Sequence, residues 1–174
     1  MTAFVITAGH SDADPGAVAD GHTEASEAMQ ARDLLAAFLR RRGHHVITDG
    51  SPGVNLPLSA AIKLIPMGKV ALELHCNAGP VSATGVETIS LPMYKALAQS
   101  ISRAVAGALG LRVRGDGGWI DQAQSARGKL GYVEAGGLIV ELFFLSNPGD
   151  KAAWDARRVF ALEALADALE QWSA

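Results

Sequence analysis

One cysteine, Cys76, stands among 174 residues, so no internal disulfide can form and the fold does not depend on an oxidising compartment. Positive charge is scarce as well. Fifteen lysines and arginines against 18 aspartates and glutamates leave a formal net charge of -3, without the basic footprint of a nucleic-acid binder or a polybasic membrane anchor. No apolar run approaches the ~20 residues that a helix needs to cross a bilayer, so stable membrane insertion is not expected. The opening residues lack the basic, apolar and small-residue zones of an export signal and lead straight into a strand, which predicts synthesis in the cytoplasm. Internal repeats and low-complexity stretches are missing too. What is there, with 49% hydrophobic residues, supports one domain over residues 1–174 with a sizeable core.

Strand-like and helix-like stretches alternate along the chain. Strands are predicted at 3–8, 44–48, 70–78, 86–91 and 137–145 from short apolar runs closed by turn residues. Helices are predicted at 24–42, with Thr23 as N-cap and Ala28, Ala31, Leu35, Phe38 and Leu39 as its apolar stripe, and at 58–65 and 94–109. A last helix is expected over 154–172, with Val159, Phe160, Leu162, Leu165, Ala166 and Leu169 facing inward. Its mixed-charge polar face argues for packing against the sheet and against membrane contact. The alternation predicts an α/β layered domain with largely parallel core strands, to which the neighbourhood of Val86 adds an antiparallel one. Residues 112–136 are rich in glycine and lack a period, which reads as an irregular rim or lid.

Candidate chemistry gathers where strands end. His10 follows the first strand, and the loop after it contains Asp14-Pro15-Gly16, where Gly9 and Gly16 let the backbone bend tightly. His75 closes the strand Val70-Ala71-Leu72-Glu73-Leu74-His75, and in open α/β sheets ligands gather at such ends. Glu24 opens the first long helix, where a carboxylate also suits the helix dipole. Two histidines and a glutamate can supply the three nitrogen and oxygen donors of a catalytic zinc site. Their spacing is no short local motif, and each residue taken singly has an ordinary structural reading. Glu141 is more telling, because Ile139, Val140, Leu142 and Phe143 surround it in a strand that reads as buried. An unpaired buried carboxylate costs several kcal/mol. It needs an ion pair, for which Arg114 and Arg127 are candidates, or a role at a metal site.

The segments His10-Ser11-Asp12-Ala13-Asp14-Pro15-Gly16-Ala17, Thr23-Glu24, His75-Cys76-Asn77-Ala78, Gly85-Val86-Glu87 and Val140-Glu141-Leu142-Phe143-Phe144-Leu145-Ser146-Asn147-Pro148 resemble, in order, the motifs of the zinc-dependent N-acetylmuramoyl-L-alanine amidases of the amidase-3 type. The resemblance implies a twisted, mostly parallel, mixed six-stranded sheet flanked by helices on both faces. It implies that His10, Glu24 and His75 hold Zn2+ and that Glu141 is the catalytic carboxylate. The substrate implied is peptidoglycan, cut between N-acetylmuramic acid and the L-alanine of the stem peptide. With no wall-binding module and no export signal, a phage endolysin is the expected setting, released from the cytoplasm to act on the wall as a monomer. A zinc peptidase cutting within the stem peptide and a non-catalytic wall-binding module are the alternatives.

Departures from the family pattern are few. Glu73 stands where relatives carry serine; two residues from His75 on a strand, it should share the histidine's face and either orient that ring or meet solvent. Cys76 should face the opposite way, into the core. Phe143 replaces a common glycine, which changes packing beneath the site. His22, His44 and His45 match no ligand position and are expected to be solvated or hydrogen-bonded.

Overall fold

The computed structural model describes residues 2–125 and 128–173. In chain order the strands and helices are β1 Ala3–Ala8, β2 Val18–Ala19, β3 His22–Thr23, α1 Glu24–Arg41, β4 His45–Thr48, α2 Leu58–Leu64, β5 Val70–Asn77, β6 Glu87–Ser90, α3 Lys95–Leu109, β7 Trp119–Asp121, α4 Gly131–Glu134, β8 Leu138–Phe144 and α5 Pro148–Ser173. Six strands form one sheet in the order β4-β1-β5-β8-β6-β7, while β2 and β3 make a separate small hairpin. Neighbours run parallel except β6 and β8, which are antiparallel. The sheet is therefore mixed, as expected.

Alternation along the strands divides the core into two layers. On one face Phe4, Ile6, Leu72, Leu74, Val140 and Leu142 pack against α1, α3 and α5. On the other Val5, Ala71, Ile89 and Ile139 meet Ala61 of α2 and Tyr132 and Val133 of α4. β5, at the centre between two parallel partners, is buried along almost its whole length, as a strand covered on both faces must be. Cys76 is 1% exposed and lies in the layer under the long helices, as the alternation predicts.

Helix boundaries follow local chemistry. Thr23 caps α1 by accepting a hydrogen bond from the Ser26 N–H at 3.2 Å. Gly110, at φ 73, closes α3 in the left-handed conformation that glycine adopts without steric cost. α5 begins six residues earlier than its apolar period suggests, because Asn147 Oδ1 accepts from the N–H groups of Gly149 and Asp150 and Pro148 sits in the first turn. The inward line of α5 runs through Trp154, Ala161, Leu165 and Ala168, one to two turns apart. That turns Val159 and Phe160 outward, at 45% and 65% exposure, against the inward placement the sequence predicts.

The glycine-rich stretch 112–136 is also more regular than it reads. It contains the sheet's edge strand β7 and the short helix α4.

Candidate active site

β1, β5 and β8 run parallel, so their carboxyl ends open on one edge of the sheet. His10 lies just past β1, His75 lies near the end of β5, and the hairpin of β2 and β3 returns the chain to place Glu24 at the start of α1. Donor atoms of His10, Glu24 and His75 lie within 4.8 Å of one another. The Glu24 carboxylate bridges the two rings: Oε2 is 2.9 Å from His10 Nε2 and Oε1 is 2.8 Å from His75 Nδ1. Backbone N–H groups of Ala17 and Cys76 donate to the same two oxygens and fix the carboxylate's plane.

Each imidazole is held from its far side. His10 Nδ1 is 3.0 Å from Asp14 Oδ2, and His75 Nε2 is 3.1 Å from Glu73 Oε2. Glu73 lies on the His75 face, as alternation predicts, and it is buried against the ring and does not meet solvent. The backbone is shaped around these rings. A Cβ at Gly9 would sit 2.2 Å from the His75 ring, and one at Gly16 would sit 2.6 Å from the His10 ring. Gly16 has φ +64 and His10 itself has φ 66, a left-handed conformation uncommon for a residue with a side chain and often found at functional sites.

Glu141 pairs in register with His75 on one side and with Glu87 on the other, so the three side chains share a row and a face. Just beyond, the register shifts: the two steps along β5 from His75 to Asn77 are matched by three along β8, from Glu141 to Phe144. This bulge turns Phe143 away from the site, where it stacks on Trp154 with centroids 5.1 Å apart.

No described residue donates to Glu141 Oε2, and that oxygen is buried. Arg114, one of the two expected partners, instead hydrogen-bonds Glu87 through Nε at 2.5 Å. Arg127, the other, lies outside the described residues. Burial pushes the Glu141 carboxyl up to about 7, against the downward pull of His75 and with added repulsion from Glu24 and Glu87. Burial opposes ionisation of Glu24 too, but the hydrogen bonds from His10 and His75 win and hold it well below the usual range. His10 is raised by its bond to Glu24, against burial; His75, also opposed by burial, is carried well above its ordinary value by Glu24 and Glu73.

The electrostatics favour positive charge at the centre of this cluster. Two imidazole nitrogens and a carboxylate, with the far ring nitrogens held by carboxylates, form the donor set and outer support typical of a catalytic zinc site. The unpartnered Glu141 oxygen beside them fits the same ion, since a nearby cation offsets a buried carboxylate. His22 and His44 lie elsewhere, at 3.2 Å from Glu27 and 2.7 Å from Glu170, and His45 is exposed. Asp14 and Glu87 are the polar groups that the sequence reading left without a role, and Arg114, expected at Glu141, pairs with Glu87. Asp14 sits four residues from His10 in the same loop, which is the one local signal it offers.

A family model described as N-acetylmuramoyl-L-alanine amidase, of the amidase-3 type, matches residues 4–171. Among solved structures the chain is similar to a Neisseria meningitidis protein described as an N-acetylmuramoyl-L-alanine amidase, with 38% identity, TM-score 0.89, and 98% of this chain and 94% of that one covered. It also shares its fold with the catalytic domain of CwlV, an N-acetylmuramoyl-L-alanine amidase from Bacillus (Paenibacillus) polymyxa, at 21% identity, TM-score 0.84, and 99% and 98% coverage. The catalytic domain of CD27L, an endolysin targeting Clostridia difficile, has the same fold at 19% identity, TM-score 0.70, and 98% coverage of both chains. A comparison with curated proteins returned no match.

Proposed function

The chain belongs to the N-acetylmuramoyl-L-alanine amidase family, and from that membership we propose that it hydrolyses the amide between the lactyl group of N-acetylmuramic acid and L-alanine with a zinc ion held by His10, Glu24 and His75. The observation that carries this reading is the Glu24 carboxylate bridging both imidazoles, with Glu141 in register beside His75. Zinc bound there supplies Lewis-acid polarisation of the amide carbonyl and acidifies water.

The chain's own groups do the rest. Asp14 and Glu73 hold the rings so that one nitrogen of each faces Glu24. Glu141, with a free oxygen beside the cluster, takes a proton from the attacking water and returns it to the departing alanine nitrogen. An amide needs both transfers, because its carbonyl is a poor electrophile and its amine a poor leaving group. Incubation with purified peptidoglycan tests the proposal: free amino-terminal alanine should appear, stop on chelation and return when zinc is added back. Loss of activity that zinc fails to restore speaks against the metal assignment.

For the biological setting, two readings have support. The endolysin setting expected from the sequence is supported by the fold shared with the CD27L catalytic domain. Wall remodelling in a bacterium is supported by the 38% identity to the Neisseria meningitidis protein. Among the described residues no helix is long and apolar enough to cross a membrane. Production in a bacterial cytoplasm together with a pore-forming protein tests the first: rapid lysis that depends on both proteins is the expected result.

A further inference from the structure

One cation is built into the wall of the site beside Glu141. Arg114 lies on a backbone stretch tied to β6, where Val86 N–H donates to Arg112 O and Arg114 N–H donates to Val86 O. Its guanidinium lies over the Phe144 ring, 4.8 Å from the centroid, and its Nε donates to Glu87 Oε2. Glu87 is buried and fixed in turn by Asn77 Nδ2, which donates to its other oxygen at 2.9 Å. Nη1 makes a long contact of 3.5 Å with Thr84 O. Thr84 and the next residue are anchored by Asp150, which accepts from Thr84 Oγ1 and Gly85 N–H. A Cβ at Gly85 would come within 3.0 Å of Arg114 Cγ, so glycine leaves the space that the arginine stem occupies.

Among the described residues nothing accepts a hydrogen bond from Nη2, and the side chain is 28% exposed. A guanidinium held at one edge and open at the other is a ready partner for a planar anion. Its distance from the metal cluster narrows the choice. Phe144 and Glu87, which the guanidinium touches, belong to strands one and two places from β5, and strands are ~4.8 Å apart, so the guanidinium stands roughly 5–10 Å from His75, on the near side of the cluster. A peptide advances at most ~3.5 Å per residue. With a hydrogen bond of about 3 Å added, that span matches a carboxylate on the second residue beyond the scissile amide. The first residue, alanine within the chain, has no free carboxylate.

We infer that Arg114 binds the free carboxylate of the second stem-peptide residue and makes the enzyme discriminate between a carboxylate and a carboxamide there; this rests on the amidase reading above. Glu87 and Phe144 set the guanidinium's plane, and Arg114 supplies specificity without entering the proton transfers.

Two synthetic muramoyl dipeptides test this, one ending in D-isoglutamate with its α-carboxylate free and one in D-isoglutamine. The wild type should show kcat/KM at least about tenfold higher for the carboxylate, mostly through KM. Arg114→Gln should reduce that preference to within about twofold. Arg114→Lys, which keeps the charge and loses the fork, should give an intermediate value and serves if the glutamine variant fails to fold. A wild-type ratio near one, or an unchanged ratio in a folded Arg114 variant, overturns the inference and leaves the amidase reading standing. Hydrolysis of neither compound, nor of intact peptidoglycan, overturns both.

Discussion

Glu73 Oε2 lies 3.1 Å from His75 Nε2, two residues away on the same face of β5. Such a carboxylate fixes the tautomer so that Nδ1 carries the lone pair with which it would bind the proposed zinc, and loss of such support commonly weakens metal binding by about 10- to 100-fold. Glu73→Ser should therefore lower zinc affinity by that order in a chelator competition while the protein stays folded. Unchanged affinity would remove this role.

Glu141→Gln should keep the metal and lose turnover by at least about 100-fold, the usual contribution of a positioned proton carrier. A variant that turns over like the wild type would end the assignment.

The same substitution carries a stability signature. In metal-stripped protein burial pushes the folded-state carboxyl up to about 7, from an ordinary value of 4.5. Between those values the folded state holds a proton that the unfolded chain has released, so stability falls as pH rises and the cost is complete above about 7. Glu141→Gln removes that cost. At pH 8 it should stabilise the stripped protein by up to about 3 kcal/mol, and near pH 4.5 by little. Denaturant melts at the two pH values give the comparison, and equal differences at both would contradict the burial argument.

Just past the end of β4, Arg32 and Asp49 form a fully buried ion pair at 2.9 Å, and Asp49 Oδ2 has no partner among the described residues. Removing one member of such a pair strands the other, a loss of about 3–5 kcal/mol. Arg32→Leu should destabilise by that amount, and adding Asp49→Leu should recover much of it. A cost below about 1 kcal/mol for the single change would mean that water reaches Asp49.

Much of the scaffold was legible because strand and helix periods survive in short windows. The strands that carry His10, His75 and Glu141 and the helix that starts at Glu24 all read correctly from apolar patterning and caps. β7 did not, since a three-residue edge strand has no room to display a period and follows Gly117 and Gly118, both at positive φ. The start of α5 was hidden for a different reason: Asn-Pro-Gly is a turn signal in isolation, and only the Asn147 side chain folding back on Gly149 and Asp150 makes it a helix start.

At the site, alternation was enough to put Glu73 on the His75 side and Cys76 on the other. The grouping of His10, Glu24 and His75 rested on family resemblance, because residues 14 to 65 positions apart carry no local spacing signal. The pairing of Arg114 with Glu87 was beyond reach as well. It depends on a backbone bridge between Val86 and Val113, which no single segment encodes.

The central claim is the bond that is cut. Digestion of purified peptidoglycan in 18O-water, followed by mass spectrometry of both glycan and peptide products, reads it directly. The account predicts intact stem peptides beginning with unlabelled L-alanine and one 18O atom in the lactyl carboxylate of muramic acid. Shortened peptides with the label in a peptide carboxylate would contradict it and make the chain a peptidase.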